Sequence, residues 1–150
     1  GIRDTLRILA SKARSKGASV TIDVEPGLPR ALANGGELNQ VWLNLIDNAL
    51  DAIPESGAVA IGARKELDRL VVSIVDNGPG IPSHLLSKIC DPFFTTKPAG
   101  EGTGLGLAVT AGIVEAHGGE LEIASEEGKG TRVVLWFPKE HGRDADDTVG

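Results

Sequence analysis

Methionine and tyrosine are absent from the chain, cysteine occurs once, and no apolar run reaches the roughly 18–20 residues that a membrane helix needs. A lone Cys90 excludes an internal disulfide and a thiolate metal cluster, and a small buried filler is its simplest role. Without paired cysteines or a visible signal peptide, the sequence fits a reducing, cytoplasmic setting, with a parent protein that is either soluble or membrane-anchored. Because the chain starts at Gly1 and lacks methionine, we expect it to be part of a longer protein.

Basic residues are also scarce, at 15 against 21 acidic ones, which gives a net charge of −6. A general nucleic-acid binder normally shows a basic patch or stripe, so this class is disfavoured. Nucleotide binding is not excluded, because a few backbone amides and one metal ion can hold a triphosphate locally. The 150 residues suit a single domain.

The apolar pattern predicts one mixed sheet with helices on one face. Helices are predicted at 2–16 (ended by Gly17), 37–53, 83–88 and 104–117, and strands at 19–24, 58–64, 70–76, 120–125 and 131–137. The third of these strands, 70–76, is almost continuously apolar, which predicts that both of its faces are covered.

Asn44 and Asn48 lie four residues apart in the predicted helix 37–53, so both project from one face, opposite the apolar stripe. Asparagine is unfavourable inside a helix because its amide competes for backbone hydrogen bonds, so the pair suggests a function. Neutral carbonyl oxygens suit Mg²⁺, which keeps several waters and shares its sites with phosphate oxygens. A solvated helix face is the simpler alternative for these two residues alone.

The segment Asp76–Pro82 (DNGPGIP) follows the apolar strand and begins with a carboxylate. A carboxylate at the end of a buried strand is costly unless it meets a donor, and the exocyclic amine of adenine is such a donor. The alternative is an Asx turn closed by the same side chain.

Glycines alternate through Gly100–Leu107 (GEGTGLGL) directly ahead of a predicted helix. Exposed backbone amides at a helix N-terminus bind phosphate well. The spacing fits neither a P-loop nor a dinucleotide fingerprint. A flexible hinge is the alternative, although Gly104 and Gly106 would then reduce helix propensity without a reason.

These segments, in this order, resemble the sequence boxes of sensor histidine kinases. The matching stretches are the N box Asn44–Ala52, the first glycine box Asp76–Pro82, the F box Asp91–Pro98 (DPFFTTKP), the second glycine box Gly100–Val109 and the final element Gly128–Thr131 (GKGT). The resemblance implies an α+β two-layer sandwich of the Bergerat type, shared with DNA gyrase, heat-shock chaperone and mismatch-repair ATPases. It also implies a mixed five-stranded sheet, about three helices on one face and a flexible ATP lid.

For the base of a bound ATP, the resemblance implies that Asp76 accepts the adenine amine. Gly78 and Gly80 would shape the base pocket, and Thr131 would support Asp76, through water or directly.

For the phosphates, the resemblance implies that Asn48 ligates Mg²⁺ with Asn44 close to the metal. The residues implied to line the triphosphate are Gly102, Thr103, Gly104, Leu105 and Gly106. The lid would run from Pro82 to Gly102. Phe93 and Phe94 would close it against the body of the domain or dock it on the partner helix, with plain hydrophobic anchoring as the alternative. Lys97 would either reach the γ-phosphate or stay solvated.

The position of Asn44 separates the members of this superfamily. Hydrolytic relatives have a glutamate there as general base, and an asparagine cannot take a proton. The sequence therefore favours a kinase over an ATPase. It departs from many histidine kinases at Asp51, where a basic residue is common, and this departure and the DPFFTTKP form resemble a nitrogen-regulation-like subclass.

None of His84, His117 and His141 lies in a phosphoacceptor motif, so we expect the phosphorylated histidine on a separate dimerisation domain. Residues 1–16 would then be the end of that helical segment or a linker, 17–138 the catalytic ATP-binding domain, and 139–150 a disordered tail. The expected partners are this dimerisation domain and a response regulator, with no nucleic acid and no membrane contact, a monomeric fragment and a homodimeric parent. A serine kinase of the anti-sigma type and a non-catalytic nucleotide switch are the alternatives.

Overall fold

The computed structural model describes residues 2–28, 36–67, 69–86, 88 and 106–138. The helices are α1 (Ile2–Ile8), α2 (Ala10–Lys16), α3 (Gly36–Ala52), α4 (Ser83–Leu86) and α5 (Gly106–Ala116). The strands are β1 (Ser19–Val24), β2 (Ala58–Glu66), β3 (Arg69–Asp76), β4 (Glu120–Glu126) and β5 (Gly130–Pro138). Within the part of the chain that is described, no helix is both long and apolar enough to cross a membrane.

The five strands form one sheet in the order β1-β2-β3-β5-β4. β1 pairs parallel with β2, whereas the other three pairings are antiparallel. This confirms the α+β class and the mixed five-stranded sheet, and it places the end of β3 in the middle of the sheet, where a side chain is easily buried.

The core lies between the sheet and α3, whose apolar residues recur at helical spacing and are buried from Leu38 to Leu50. Trp42 is fully buried and meets Phe137 of β5 edge to face, with ring centroids 6.4 Å apart. α3 also packs against α5. The apolar face of α3 is therefore fixed by the core, and Asn44 and Asn48 lie half-buried on the stripe beside it.

β3 is covered on both faces only along its first half. Val71 and Val72 are both buried, but Ser73 is partly exposed and Val75 is 38% exposed. The prediction that the whole strand is covered on both sides is thus wrong for its second half, because the large helices pack on one face of the sheet and leave the other face near Val75 open.

The predicted first helix is interrupted at Leu9, whose ψ of 6° lies outside the helical range. Hydrogen bonds continue across the interruption, from Leu9 N to the Thr5 oxygen (3.0 Å) and from Ala13 N to the Leu9 oxygen (3.1 Å). The predicted stop at Gly17 is confirmed: its left-handed backbone, with φ of 63°, allows the closing bonds that end α2.

Two lysines of α2 join it to α3. Lys12 Nζ lies 2.6 Å from a carboxylate oxygen of Asp47 and 2.5 Å from one of Asp51. Burial lowers the pKa of Lys12, but the hydrogen bonds and charges of the two carboxylates outweigh this, so that the pKa is raised overall. Asp51, the residue at which the sequence departs from many histidine kinases, therefore lies in an ion pair between helices.

Lys16 satisfies the C-terminal end of α3 by donating to the backbone oxygens of Leu50 (2.7 Å), Asp51 (3.1 Å) and Ile53 (2.8 Å). A cation at a helix C-terminus also interacts favourably with the helix dipole. With Ile2 and Thr5 buried as well, residues 2–16 pack on the body of the domain. Their assignment to the end of a dimerisation segment stays a prediction.

Candidate functional site

Asp76, the last residue of β3, is buried although it carries a carboxylate. It pairs with Val59 of β2 on one side and with Thr131 of β5 on the other. Burial raises the pKa of Asp76, while the backbone N–H groups of Gly78 and Thr131 donate to the carboxylate and lower it. The side chain is an acceptor held in place by the backbone on two sides.

The hydrogen bond from Gly78 N to Asp76 Oδ1, at 2.8 Å, closes an Asx turn. The sequence offered this turn as an alternative to a binding role, and the structure contains it. A carboxylate has two oxygens and room for several donors. The turn therefore orients Asp76 and leaves acceptor capacity for a ligand.

Gly78 and Gly80 allow the loop after β3 to approach its neighbours closely. A Cβ at Gly78 would lie 2.7 Å from the backbone oxygen of Ala52 at the end of α3. Gly80 has φ of +77°, and a Cβ there would clash with the backbone oxygen of Glu126 in β4. The two glycines fix the loop between the last turn of α3 and the β4–β5 turn.

The loop after β3 is held by Ser125 and Thr131, which face each other across the β4–β5 turn. Their hydroxyl oxygens are 2.8 Å apart, and Ser125 Oγ also accepts from Ile81 N at 2.7 Å and donates to the Gly130 oxygen at 3.0 Å. Thr131 had been expected beside Asp76, and the register places it there. Ser125 was missed, because a serine in an alternating strand gives no functional signal.

Asn44 and Asn48 both lie half-buried on the polar stripe of α3. The Asn44 side-chain amide donates to Thr110 Oγ1 of α5 at 3.3 Å, and its carbonyl oxygen accepts from Gln40 Nε2 at 3.0 Å. Thr110, a residue that the sequence did not indicate, is fully buried.

Two contacts mark the ends of this polar stripe along α3. Asn44 touches Thr110, one turn beyond Gly106 at the start of α5, and Ala52 touches the loop at Gly78. Eight helical residues at 1.5 Å each separate these contacts by about 12 Å, with Asn48 midway. The structure thus places Asn44 beside α5, which begins at Gly106, and the Asp76 loop with Gly78, Gly80 and Thr131 beside the other end of α3.

Several predicted residues lie outside the described part of the chain. They are Lys97, Gly102, Thr103, Gly104 and Leu105 of the site, together with Phe93, Phe94, Cys90, His141 and the lid from residue 89 onward. Of the other two histidines, His84 lies in α4, and the ring Nδ1 of His117 lies 2.9 Å from the Ile113 oxygen, as expected for a residue at a helix end.

The donors on α3 fit a magnesium ion that takes most of its ligands from phosphate and water. No group of three or more His, Cys, Asp or Glu residues able to hold a metal occurs among the described residues. The carboxylates nearest in sequence to Asn48, Asp47 and Asp51, are paired with Lys12. Neutral amide oxygens remain as protein ligands, which agrees with the few contacts that Mg²⁺ makes to protein in nucleotide sites.

We predict that the stability of the protein relative to its Asp76→Asn variant falls as the pH rises. Because burial raises the pKa of Asp76, the folded protein retains a proton that the unfolded chain releases, so stability is lost between the ordinary aspartate pKa and the raised one. Urea unfolding of both proteins between about pH 4 and 7 measures this difference. A difference that does not change with pH would contradict the prediction.

Residues 33–141 match the family model of histidine kinase-, DNA gyrase B-, and HSP90-like ATPases. The chain is 40% identical over 137 residues to the sensor histidine kinase ZraS of Escherichia coli strain K12, covering 91% of this chain and 29% of ZraS. It is 38% identical over 149 residues to the sensor kinase CckA of Brucella abortus, covering 89% of this chain and 16% of CckA. The chain therefore spans less than a third of these curated relatives.

Solved structures agree with these relatives. The nucleotide-free catalytic domain of histidine kinase ThkA superposes with a TM-score of 0.77 at 31% identity, covering 92% of this chain and 90% of that one. Full-length ShkA in complex with AMPPNP gives a TM-score of 0.79 at 30% identity, covering 91% of this chain and 29% of ShkA. With most of its length matched by sequence and by fold, the chain belongs to the histidine kinase-, DNA gyrase B- and HSP90-like ATPase family, as the catalytic ATP-binding domain of a sensor histidine kinase.

Proposed function

We propose that the chain binds ATP together with Mg²⁺ and donates the γ-phosphate to a histidine on a separate dimerisation domain of the same protein. The observation that carries this proposal is the arrangement along α3, with the buried Asp76 carboxylate near its C-terminal end and Asn44 bonded to α5 two turns earlier. The two contacts lie about 12 Å apart along the helix, with Asn48 between them. ShkA, a related kinase, has been solved with AMPPNP.

At the base end, Asp76 accepts a hydrogen bond from the exocyclic amine of adenine. Its carboxylate already receives the Gly78 and Thr131 amides, which fix its direction. Adenine is favoured over guanine because a carboxylate accepts from the amine of adenine but repels the carbonyl oxygen at the same position of guanine. Gly78 and Gly80 shape the base pocket by letting the loop pack closely on Ala52 and Glu126 beside Asp76.

At the phosphate end, Asn48 and Asn44 are the metal-side residues, and the N-terminus of α5 at Gly106 faces the phosphates. When bound, Mg²⁺ would neutralise charge on the phosphate oxygens. The segment 102–105 and Lys97 complete this end in our proposal. Lys97 acts on the γ-phosphate if the lid brings it there.

Transfer is favoured over hydrolysis because no carboxylate occupies position 44. The Asn44 amide cannot take a proton from water, and its two ends are engaged by Gln40 and Thr110. What remains is positioning and charge neutralisation, which are the main contributions of protein to phosphoryl transfer.

The proposed partners are the dimerisation domain and a response regulator. Histidine kinase ThkA has been solved in complex with response regulator protein TrrA, which supports the second partner by likeness. We place the domain in the cytoplasm, as a monomer within a homodimeric parent. The nitrogen-regulation-like subclass rests on the DPFFTTKP form and Asp51 alone, since the relatives reported above are named ZraS and CckA.

One labelling experiment distinguishes the histidine kinase from two other functions, a serine kinase of the anti-sigma type and a nucleotide switch. The chain is incubated with ATP labelled at the γ-phosphate, alone and with the dimerisation domain of its own parent protein. Acid-labile label on that domain supports the histidine kinase, whereas acid-stable label on a serine would support an anti-sigma type of kinase. Nucleotide binding without any transfer would support a switch module.

We predict that Asn48→Ala lowers the gain in ATP affinity that Mg²⁺ provides by about tenfold, because a metal ligand is lost. The measurement compares the ATP dissociation constant in Mg²⁺ with that in EDTA. Asn39→Ala is the matched control, since position 39 is nine residues from Asn48 and lies on the opposite side of the same helix. Equal magnesium dependence in the parent and Asn48→Ala would remove Asn48 from the metal site.

A further inference from the structure

Thr110 places a hydroxyl group among apolar residues of α5, at the interface with α3. The residue is fully buried, and Leu107, Ile113 and Val114 of the same helix pack against the core around it. A buried hydroxyl costs free energy unless it makes a hydrogen bond, and valine would fill the same volume without that cost. Packing of α5 against α3 alone therefore does not call for a threonine.

The partner of this hydroxyl is Asn44, whose side-chain amide donates to Thr110 Oγ1 across the interface at 3.3 Å. The Asn44 carbonyl oxygen accepts from Gln40 at 3.0 Å. An amide bonded at both ends has only one favourable rotation about its last side-chain bond. The three residues thus determine which face of the Asn44 carboxamide points along α3 towards Asn48.

The location of this bond connects two elements of the candidate nucleotide site. Asn44 lies one turn before Asn48, and Thr110 lies one turn after Gly106, the first residue of α5. We assign a contact with the metal to Asn48 and a contact with the phosphates to Gly106. The Asn44–Thr110 bond therefore holds the metal side of the candidate site, on α3, and its phosphate side, at the start of α5, at a fixed separation.

We propose that Thr110 is a positioning residue: it orients the Asn44 carboxamide and aligns α3 with the start of α5, and so sets the magnesium-dependent part of ATP binding. This inference rests on the proposed function. Thr110 lies just outside the second glycine box, in a stretch that the sequence shows only as an apolar helix.

The test compares Thr110→Val, which keeps the volume and removes the hydroxyl, with Thr110→Ser, which keeps the hydroxyl. ATP dissociation constants are measured in Mg²⁺ and in EDTA. The magnesium ratio is the dissociation constant in EDTA divided by that in Mg²⁺. We expect Thr110→Val to reduce this ratio by about 3- to 10-fold, the effect of one hydrogen bond, and Thr110→Ser to stay within about twofold of the parent. Val114→Ala, a destabilising change one turn further along α5, is expected to leave the ratio unchanged.

The proposal is overturned if Thr110→Val keeps the parent ratio, or if the serine and valine variants lose it equally, since packing would then explain the effect. A second measurement needs no nucleotide. In a double-mutant cycle of Asn44→Ala and Thr110→Val, urea unfolding should give a coupling energy distinct from zero. A coupling energy in a protein that does not bind ATP would show that the bond exists but that the proposed function is wrong. Additive effects of the two substitutions would refute the bond.

Discussion

Asp76→Asn is expected to weaken ATP binding by about 1–3 kcal/mol, or roughly 5- to 150-fold, because a buried hydrogen-bond partner is left badly matched. The carboxylate accepts from the backbone amides of Gly78 and Thr131 and has an acceptor left for adenine. An asparagine has one oxygen, and if that oxygen keeps the Gly78 bond, its NH₂ group points at the amine of the base. Two donors then face each other.

Isothermal calorimetry with ATP measures this effect directly. The control is Asp23→Asn, which makes the same chemical change at an exposed position of β1 and should leave the affinity as it is. Unchanged affinity in Asp76→Asn, with the fold intact by circular dichroism, would refute the assignment of Asp76 to the base pocket.

Gly130→Ala should lower the free energy of unfolding by roughly 3 kcal/mol, through backbone strain and a steric clash that add up. Gly130 has φ of +132°, and a Cβ there would overlap the backbone oxygen of Asp76. Backbone atoms cannot rotate out of the way, so the pairing of β3 with β5 must open beside the site. We therefore expect nucleotide affinity to fall together with stability.

Gly128→Ala is the matched control for this change, two residues away in the same turn. Gly128 has φ of +86°, but a Cβ there would meet nothing within 4 Å. Its loss should be only the strain of a left-handed residue, about 1 kcal/mol. Chemical unfolding of the two variants and the parent gives the comparison, and equal losses would mean that the contact with Asp76 is unimportant.

Much of the fold could be predicted because hydrophobic periodicity is a local signal. β1 runs from Ser19 to Val24 as predicted, and α3 begins and ends one residue earlier than the predicted helix. The exposure of Val75 could not be predicted, since a run of apolar residues does not tell how many layers cover a strand. The interruption at Leu9 has no signal in the sequence either.

Some residues of the candidate site could be predicted from the sequence, and others could not. Asp76, Gly78 and Gly80 stand out by residue type and sequence neighbourhood, so they could be chosen before the structure was known. Thr110 and Lys12 could not, because each acquires its role from a partner far along the chain, at separations of 66 and 35 residues. Only the register of a folded sheet and the packing of two helices bring such pairs together.

The roles of the triphosphate-binding residues remain predictions, since most of the second glycine box lies outside the described residues. Their assignment depends on the resemblance of Gly100–Val109 to the family. Gly106 lies at the start of α5, one turn before the Thr110 that bonds Asn44, and its contact with phosphate stays a prediction as well.

The contacts of Lys12 and Lys16 with α3 affect how far the chain can be shortened from its N-terminus. The family match begins at residue 33, well after Lys12 and Lys16. An expression fragment cut at that border would leave Asp47 and Asp51, one helical turn apart, without the ammonium group that now lies between them, and would expose the carbonyl end of α3. A poorly behaved short fragment would then reflect the cut, and assays of the nucleotide site should start from a chain that includes α1.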